Sequence, residues 1–154
     1  MTVIECVPIA TVVGGRASVE DNAWGDVDTV LRIDGGRFTT DAVAGLAQFS
    51  HLEVVSVFDR VDPRRVERGG RRPRGNPDWP LLGIFAQRGK AQPNRPGVSR
   101  CALLRVDGLD LHVRGLDAID GTPVLDVKPW MDEVPPRGAV RQPGWSSELM
   151  RAYW

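Results

Sequence analysis

Side chains suited to holding a charged ligand are concentrated in two short loops, residues 87–97 and 117–123, both rich in Gly, Pro, Asn and Asp. Loops so crowded with charge and with residues of special backbone geometry are built to hold something. In the first, Arg88 carries a planar guanidinium that takes a carboxylate as a fork, or pins its own loop by pairing with a nearby acid. Asn94, beside Pro93, reads a base edge or braces the loop. In the second, Asp120 accepts a proton or a hydroxyl hydrogen bond, or is the Asp of an Asp-Gly turn with Gly121. Asp126 and Lys128 stand two apart and so share a strand face, where they pair with each other or line a pocket. Trp24, in a polar loop, is a platform for a stacked base or a packing anchor.

A hairpin must position these groups. Residues 98–106 are β-rich, Asp107-Gly108 is a two-residue turn signal, and Leu109, Leu111 and Val113 then alternate with Asp110, His112 and Arg114. The hairpin places both loops at the same end of a sheet. Upstream, residues 2–13 read as an apolar, β-branched first strand broken by Gly14-Gly15. Residues 29–33 read as a short strand, and Thr40-Asp41 as the cap of a short helix through Ala47. Residues 52–58, nearly all apolar, are expected to form an interior strand covered on both faces. Residues 131–141 are proline-rich, and Ser146 or Ser147 caps a last short helix through Tyr153. The aromatic tail of that segment packs on the main body or on a second subunit. Short strands, regular turns and little helix make the chain mainly β: a small single-domain β-barrel over residues 1–154, with short helices and an arginine-rich loop insertion. No Gly-x-Gly-x-x-Gly follows a strand, so a doubly wound nucleotide-binding fold is not signalled.

At 154 residues the chain suits one domain, long enough to bury about 68–70% of its unfolded surface. Cys6 and Cys101 form no Cys-x-x-Cys pair, and His51 and His112 are the only histidines, so neither a disulfide scaffold nor a metal site is expected. No apolar run approaches the roughly 20 residues of a membrane span, and no signal peptide is visible, which makes the cytoplasm the expected compartment. Net charge is zero, yet residues 59–80 hold seven arginines, including Arg71, Arg72 and Arg74, against four acids. That stretch is a solvated excursion or a basic arm that meets phosphates. Zero overall charge argues against bulk nucleic-acid binding but not against docking one folded RNA.

The segments FAQRG, QPN and GVS, followed by RGLDAIDGTPVLDVKPW, resemble the TsaA-like (TrmO-type) methyltransferases, and Gln48-Phe49-Ser50-His51 adds a third island in the family's order. The resemblance is strong after Arg114, fair across the first loop and weaker over the first eighty residues. It implies a small β-barrel that binds S-adenosylmethionine at a homodimer interface and methylates the threonylcarbamoyl-adenosine beside the tRNA anticodon. It places Arg88, His51, Leu52, Val98 and the backbone of Ile119, Asp120 and Gly121 on the methyl donor. Trp24 lies where the family carries a Pro-Arg-Gln donor segment. Arg88 and Asp120 are the catalytic candidates, Arg88 as clamp and Asp120 as ribose partner or proton acceptor. Asn94, Arg95, Asp126, Lys128, Arg71, Arg72 and Arg74 are the substrate candidates. Two departures stand out. The family's Arg-Pro-Asn-Pro is here Gln92-Pro93-Asn94-Arg95, and the chain is too short for the extra C-terminal domain of longer members. The altered loop leaves open a small-molecule or other RNA acceptor, and the lack of a clear general base leaves open a non-catalytic module that binds the donor or RNA.

Overall fold

All 154 residues are described in a computed structural model. Six strands close into a barrel in the order β1-β2-β7-β6-β3-β8, every neighbour antiparallel. They are β1 (Ala10–Val13), β2 (Asp28–Ile33), β3 (His51–Val57), β6 (Pro96–Asp107), β7 (Asp110–Arg114) and β8 (Pro123–Pro129). A separate two-stranded ribbon, β4 (Gly70–Arg71) with β5 (Leu82–Gly83), and one helix, α1 (Gly144–Met150), complete the regular structure.

Alternation decides which faces look inward. Val12, Leu31, Leu52, Val54, Leu111, Val113 and Val124 are almost fully buried and fill the interior. Burial also pushes the Cys101 thiol up to about 12, so it behaves as a small apolar group. Gly97 is required where β6 crosses β3: a Cβ there would lie 2.5 Å from Ser56 Oγ and 3.0 Å from the Phe58 ring. Closure uses two register shifts, at Val55/Ser56 and at Leu103/Arg105.

Several elements differ from the sequence reading. The first strand shrinks to Ala10–Val13, because the apolar residues before Ile9 have no neighbouring strand to pair with. β3 is not covered on both faces: Leu52, Val54 and Ser56 point in, while Glu53, Val55 and Val57 are half-exposed outside, as expected of an antiparallel barrel wall. In place of a helix from Thr40 through Ala47 there are two 3₁₀ turns, Thr40–Val43 and Leu46–Gln48, separated by Gly45 at φ 82°. The final helix begins at Gly144 after Pro143, and Ser146 sits inside its first turn with Oγ donating to the Pro143 carbonyl.

Three connections share one end of the barrel: residues 14–27 between β1 and β2, residues 58–95 between β3 and β6, and residues 115–122 between β7 and β8. The 58–95 excursion is ordered by short turns and by side chains that bond carbonyls. Arg95 donates to the Asp59 and Val61 carbonyls, Gln87 to those of Arg71 and Leu82, and Gln92 to those of Ile84 and Gln87. Loop carbonyls without strand neighbours need such partners. The tail leaves β8 at the far end and returns to this one. There Ala23 and Trp24 N–H donate to the Ala152 and Tyr153 carbonyls, and Trp154 packs on Gly25.

Candidate functional site

The loop-bearing end brings together both loops singled out by sequence. Arg88 is exposed, and its one side-chain hydrogen bond runs 3.3 Å from Nη2 to the Val98 carbonyl. Val98 lies on the part of β6 that pairs only with β3, because β7 joins β6 no earlier than Ala102. Arg88 therefore sits at an open edge of the barrel wall, with most of its guanidinium N–H groups unused.

Asp120 lies in the tight β7–β8 turn. Its Oδ1 accepts from Gly14 N–H at 2.8 Å, its own N–H donates to the Arg16 carbonyl, and its carbonyl accepts from Arg60 at 2.9 Å. The Asp-Gly turn reading therefore holds, while the second carboxylate oxygen remains free. Gly121 has φ 84°, and a Cβ there would lie 3.0 Å from the Arg60 guanidinium, so only glycine fits. Ile119 is half-buried between the buried Ala118 and exposed Asp120.

Residues 16–23 curl around an open hollow of about 590 Å³ whose far wall is Lys90; neither Arg88 nor Asp120 lines it. Arg16 closes the curl through the Asn22 and Ala23 carbonyls, at 2.7 and 2.6 Å. The backbone N–H groups of residues 17–22 donate to no other backbone group, so they are available to a bound ligand.

Trp24 is a packing anchor, not a stacking platform. It is 1% exposed, its ring lies beneath Arg16 at 4.6 Å, and the tail covers it. Arg95 spends its guanidinium on the Asp59 and Val61 carbonyls and does not face outward as a substrate contact. Arg72 bonds the Pro77 and Trp79 carbonyls, Arg74 bonds the Asp21 carbonyl at 3.0 Å, and Arg71 pairs with Glu67 at 3.8 Å. These three brace the excursion. Asn94 is exposed with φ 64° beside Arg95 at φ 53°. Its part is to carry the bend, and its side chain braces nothing.

The remaining candidates lie on the barrel wall, Val98 against Arg88 and the others elsewhere on β3 and β8. His51 starts β3 and lies about 20 Å along the strand from Val57, and it pairs with Ala102, which pairs with Arg114 where the 115–122 loop begins. Its Nδ1 is 2.8 Å from Ser50 Oγ. Leu52 is fully buried in the core, which takes its side chain away from any ligand. Val98 faces outward and is 40% exposed. Asp126 and Lys128 pair with each other at 2.5 Å on the same outer wall, and that pairing raises the Lys128 pKa. Glu53–Arg100 at 2.9 Å, with Arg100 over Trp130, completes this face.

One buried pair escaped the sequence reading. Tyr153 donates its O–H to Asp117 Oδ2 at 2.6 Å, joining the tail to the β7–β8 loop. Burial pushes the Asp117 carboxyl above its ordinary value, while the Tyr153 hydrogen bond and the charge of Lys90 pull it back. Burial, then Asp117, push Tyr153 up, against the charges of Arg88 and Arg74. The signal available in the sequence was the Leu-Asp that precedes Asp120-Gly121 within RGLDAIDG. No three His, Cys, Asp or Glu side chains gather to hold a metal ion, and no helix is long and apolar enough to cross a membrane.

Comparison with known proteins places this arrangement. The family model described as the tRNA-methyltransferase O N-terminal domain matches residues 21–135. A probable S-adenosyl-L-methionine-binding protein of Methanothermobacter thermautotrophicus is 41% identical over 97 residues, 61% of this chain and 64% of that one. The tRNA (adenine(37)-N6)-methyltransferase of Escherichia coli is 38% identical over 99 residues, 59% of this chain and 40% of that one. Among solved structures, TrmO matches with TM-score 0.72 at 24% identity over 94% of this chain and 64% of that one. TrmO from Pseudomonas aeruginosa gives 0.68 at 24% identity over 90% and 61%. These likenesses establish the barrel as the TrmO fold, and the chain spans less than two thirds of the length of these relatives. The match over residues 21–135 covers both loops and most of the barrel, and by it the chain belongs to the family of tRNA-methyltransferase O N-terminal domains.

Proposed function

We propose that this chain is an S-adenosylmethionine-dependent N-methyltransferase acting on threonylcarbamoyl-modified adenosine of tRNA, with the methyl donor at the loop-bearing end of the barrel. The relatives named as tRNA (adenine(37)-N6)-methyltransferases and S-adenosyl-L-methionine-binding proteins support the reaction class. The observation that carries the site is Arg88: an exposed guanidinium at an open barrel edge, fixed by one carbonyl and otherwise free. The donor has a carboxylate for that fork, a ribose diol for a carboxylate oxygen, and polar edges for unpaired backbone N–H groups. Arg88, Asp120 and the 17–22 backbone fit those needs.

When bound, the donor supplies an electrophilic methyl on a positively charged sulfur. The chain's own work is to align the acceptor nitrogen, exclude water and take one proton. The free oxygen of Asp120 is the proposed proton acceptor, held in place by Gly14 N–H on its other oxygen. Arg88 is the clamp. His51 and Val98 face outward from the barrel wall, Val98 against Arg88 and His51 farther along β3, where it would serve a donor in company with a second subunit. Their orientation supports a homodimer with the donor near its interface, to be checked by light scattering.

The acceptor test is labelled donor with total tRNA, followed by mass spectrometry of nucleosides. Label in methylated threonylcarbamoyl-adenosine is expected; turnover of donor with unlabelled tRNA would move the acceptor elsewhere. One observation favours that second reading, a small molecule or another RNA. With Arg95 turned onto the Asp59 and Val61 carbonyls, the Gln92–Arg95 segment of the first loop offers only Asn94 to an acceptor. Absence of any turnover would leave a donor- or RNA-binding module.

A further inference from the structure

Of the seven arginines in residues 59–80, five are occupied. Arg60 bonds the Asp120 carbonyl, Arg64 and Arg71 pair with Asp62 and Glu67, and Arg72 and Arg74 bond carbonyls. Arg65 and Arg68 are exposed and have no hydrogen bond or ion pair to the protein. The two nearest acids in the chain, Asp62 and Glu67, are already neutralised, so a local positive surface survives in a chain of zero net charge.

An aromatic ring stands on the same excursion. The 3₁₀ turn Ile84–Ala86 rolls Ile84 inward to 4% exposure and Phe85 outward to 83%. The turn is fixed: Ile84 N–H donates to the Gly69 carbonyl at 3.0 Å, and Gln92 Nε2 donates to the Ile84 carbonyl at 2.6 Å. The backbone before Phe85 is therefore held against Gly69, the residue after Arg68, and Phe85 stands three residues before Arg88. A fixed, solvent-facing ring on the same excursion as two free guanidinium groups suits a nucleobase face with phosphates nearby. A paired duplex offers the phosphates but keeps its base faces stacked.

We propose that the excursion between β3 and β6 is a docking surface for an unpaired segment of RNA, with Phe85 as the base platform and Arg65 and Arg68 as the phosphate contacts. This deepens the tRNA reading above and rests on it for the identity of the RNA. Were the target base presented at Arg88, a neighbouring unpaired base would reach Phe85.

The test is fluorescence anisotropy on the full chain with two unmodified RNAs, a hairpin with an unpaired loop and a blunt duplex of equal length. Wild type is expected to prefer the hairpin. Phe85→Ala should weaken hairpin binding by about tenfold and leave duplex binding alone. Arg65→Ala/Arg68→Ala should weaken both RNAs and flatten the logarithmic salt dependence by about 0.7 per lost contact on the loop. Unchanged hairpin affinity in Phe85→Ala overturns the proposal. So does a Phe85→Ala loss that accompanies a fall in molar mass by light scattering, since a second copy would then cover the ring. Calorimetry with S-adenosylmethionine on the same variants separates the two ideas. Donor binding absent from wild type sinks the enzyme reading, whereas donor binding retained without hairpin preference sinks only this surface.

Discussion

The barrel wall and the cap of loops at its open end are held together by different physics. The wall is ordered by apolar alternation: Leu31, Leu52, Leu111 and Val113 are fully buried and point to a common axis. The cap has few buried apolar side chains, among them Trp24, Ile84 and Pro73, and is ordered instead by guanidinium and amide groups on loop carbonyls. The wall's stabilisation is non-directional and large. The cap's is directional, local and tied to single residues, which is what a ligand site needs if loops are to keep a defined shape.

That contrast can be broken most forcefully in the wall. Leu111→Ala should cost about 2–5 kcal/mol and lower the urea midpoint for every probe together. Next comes Arg95→Met, which removes the donors to the Asp59 and Val61 carbonyls. Each such charged bond is worth about 1.5–3 kcal/mol, but the loss should be local. Amide exchange near residues 58–61 and 92–96 should quicken while the global midpoint moves little. A cooperative loss like that of Leu111→Ala would show that the cap is not energetically separate.

Tyr153→Phe should act more weakly and through pH. Burial raises the Asp117 carboxyl and the Tyr153 hydroxyl opposes that rise, so its removal lets the carboxyl climb further. A carboxyl whose folded value exceeds its unfolded one binds its proton more tightly when native, so stability falls as pH rises through the folded value. In Tyr153→Phe that fall should come at higher pH, visible in a carboxyl-carbon NMR titration. The smallest effect belongs to Asp28→Asn at the wall's exposed edge. The Arg114 hydrogen bond lowers the Asp28 pKa, so its contribution is present above the unfolded value and lost as pH falls through the folded one. Thermal melts of the variant at neutral and acid pH should differ from wild type only slightly.

The same contrast explains what could be read from residues alone. The hairpin and the inward face of β7 follow from period-two alternation and the Asp-Gly turn, whereas the outward Val55 and Val57 hide the alternation of β3. The cap does not: a run of arginines declares its charge but not where each guanidinium will bond, and here most turn onto carbonyls. Trp24 is buried by a tail more than a hundred residues away in sequence, a contact no local pattern encodes. Asp117 and Tyr153 meet across 36 residues for the same reason. His51 belongs to the family's motif order, yet it lies at the opposite end of its strand from Val57 and the 58–95 loop, because motif order along a chain says nothing of strand direction.

The central claim is that Arg88, between the two loops at the open barrel edge, grips the carboxylate of a charged methyl donor. Isothermal titration of S-adenosylmethionine into wild type and Arg88→Met tests it most directly. Saturable binding to wild type that weakens by about tenfold or more in a variant with an unchanged melting curve is expected, as for loss of a charged hydrogen-bonded pair. Equal affinity in both proteins, or no heat of binding in wild type, would contradict it.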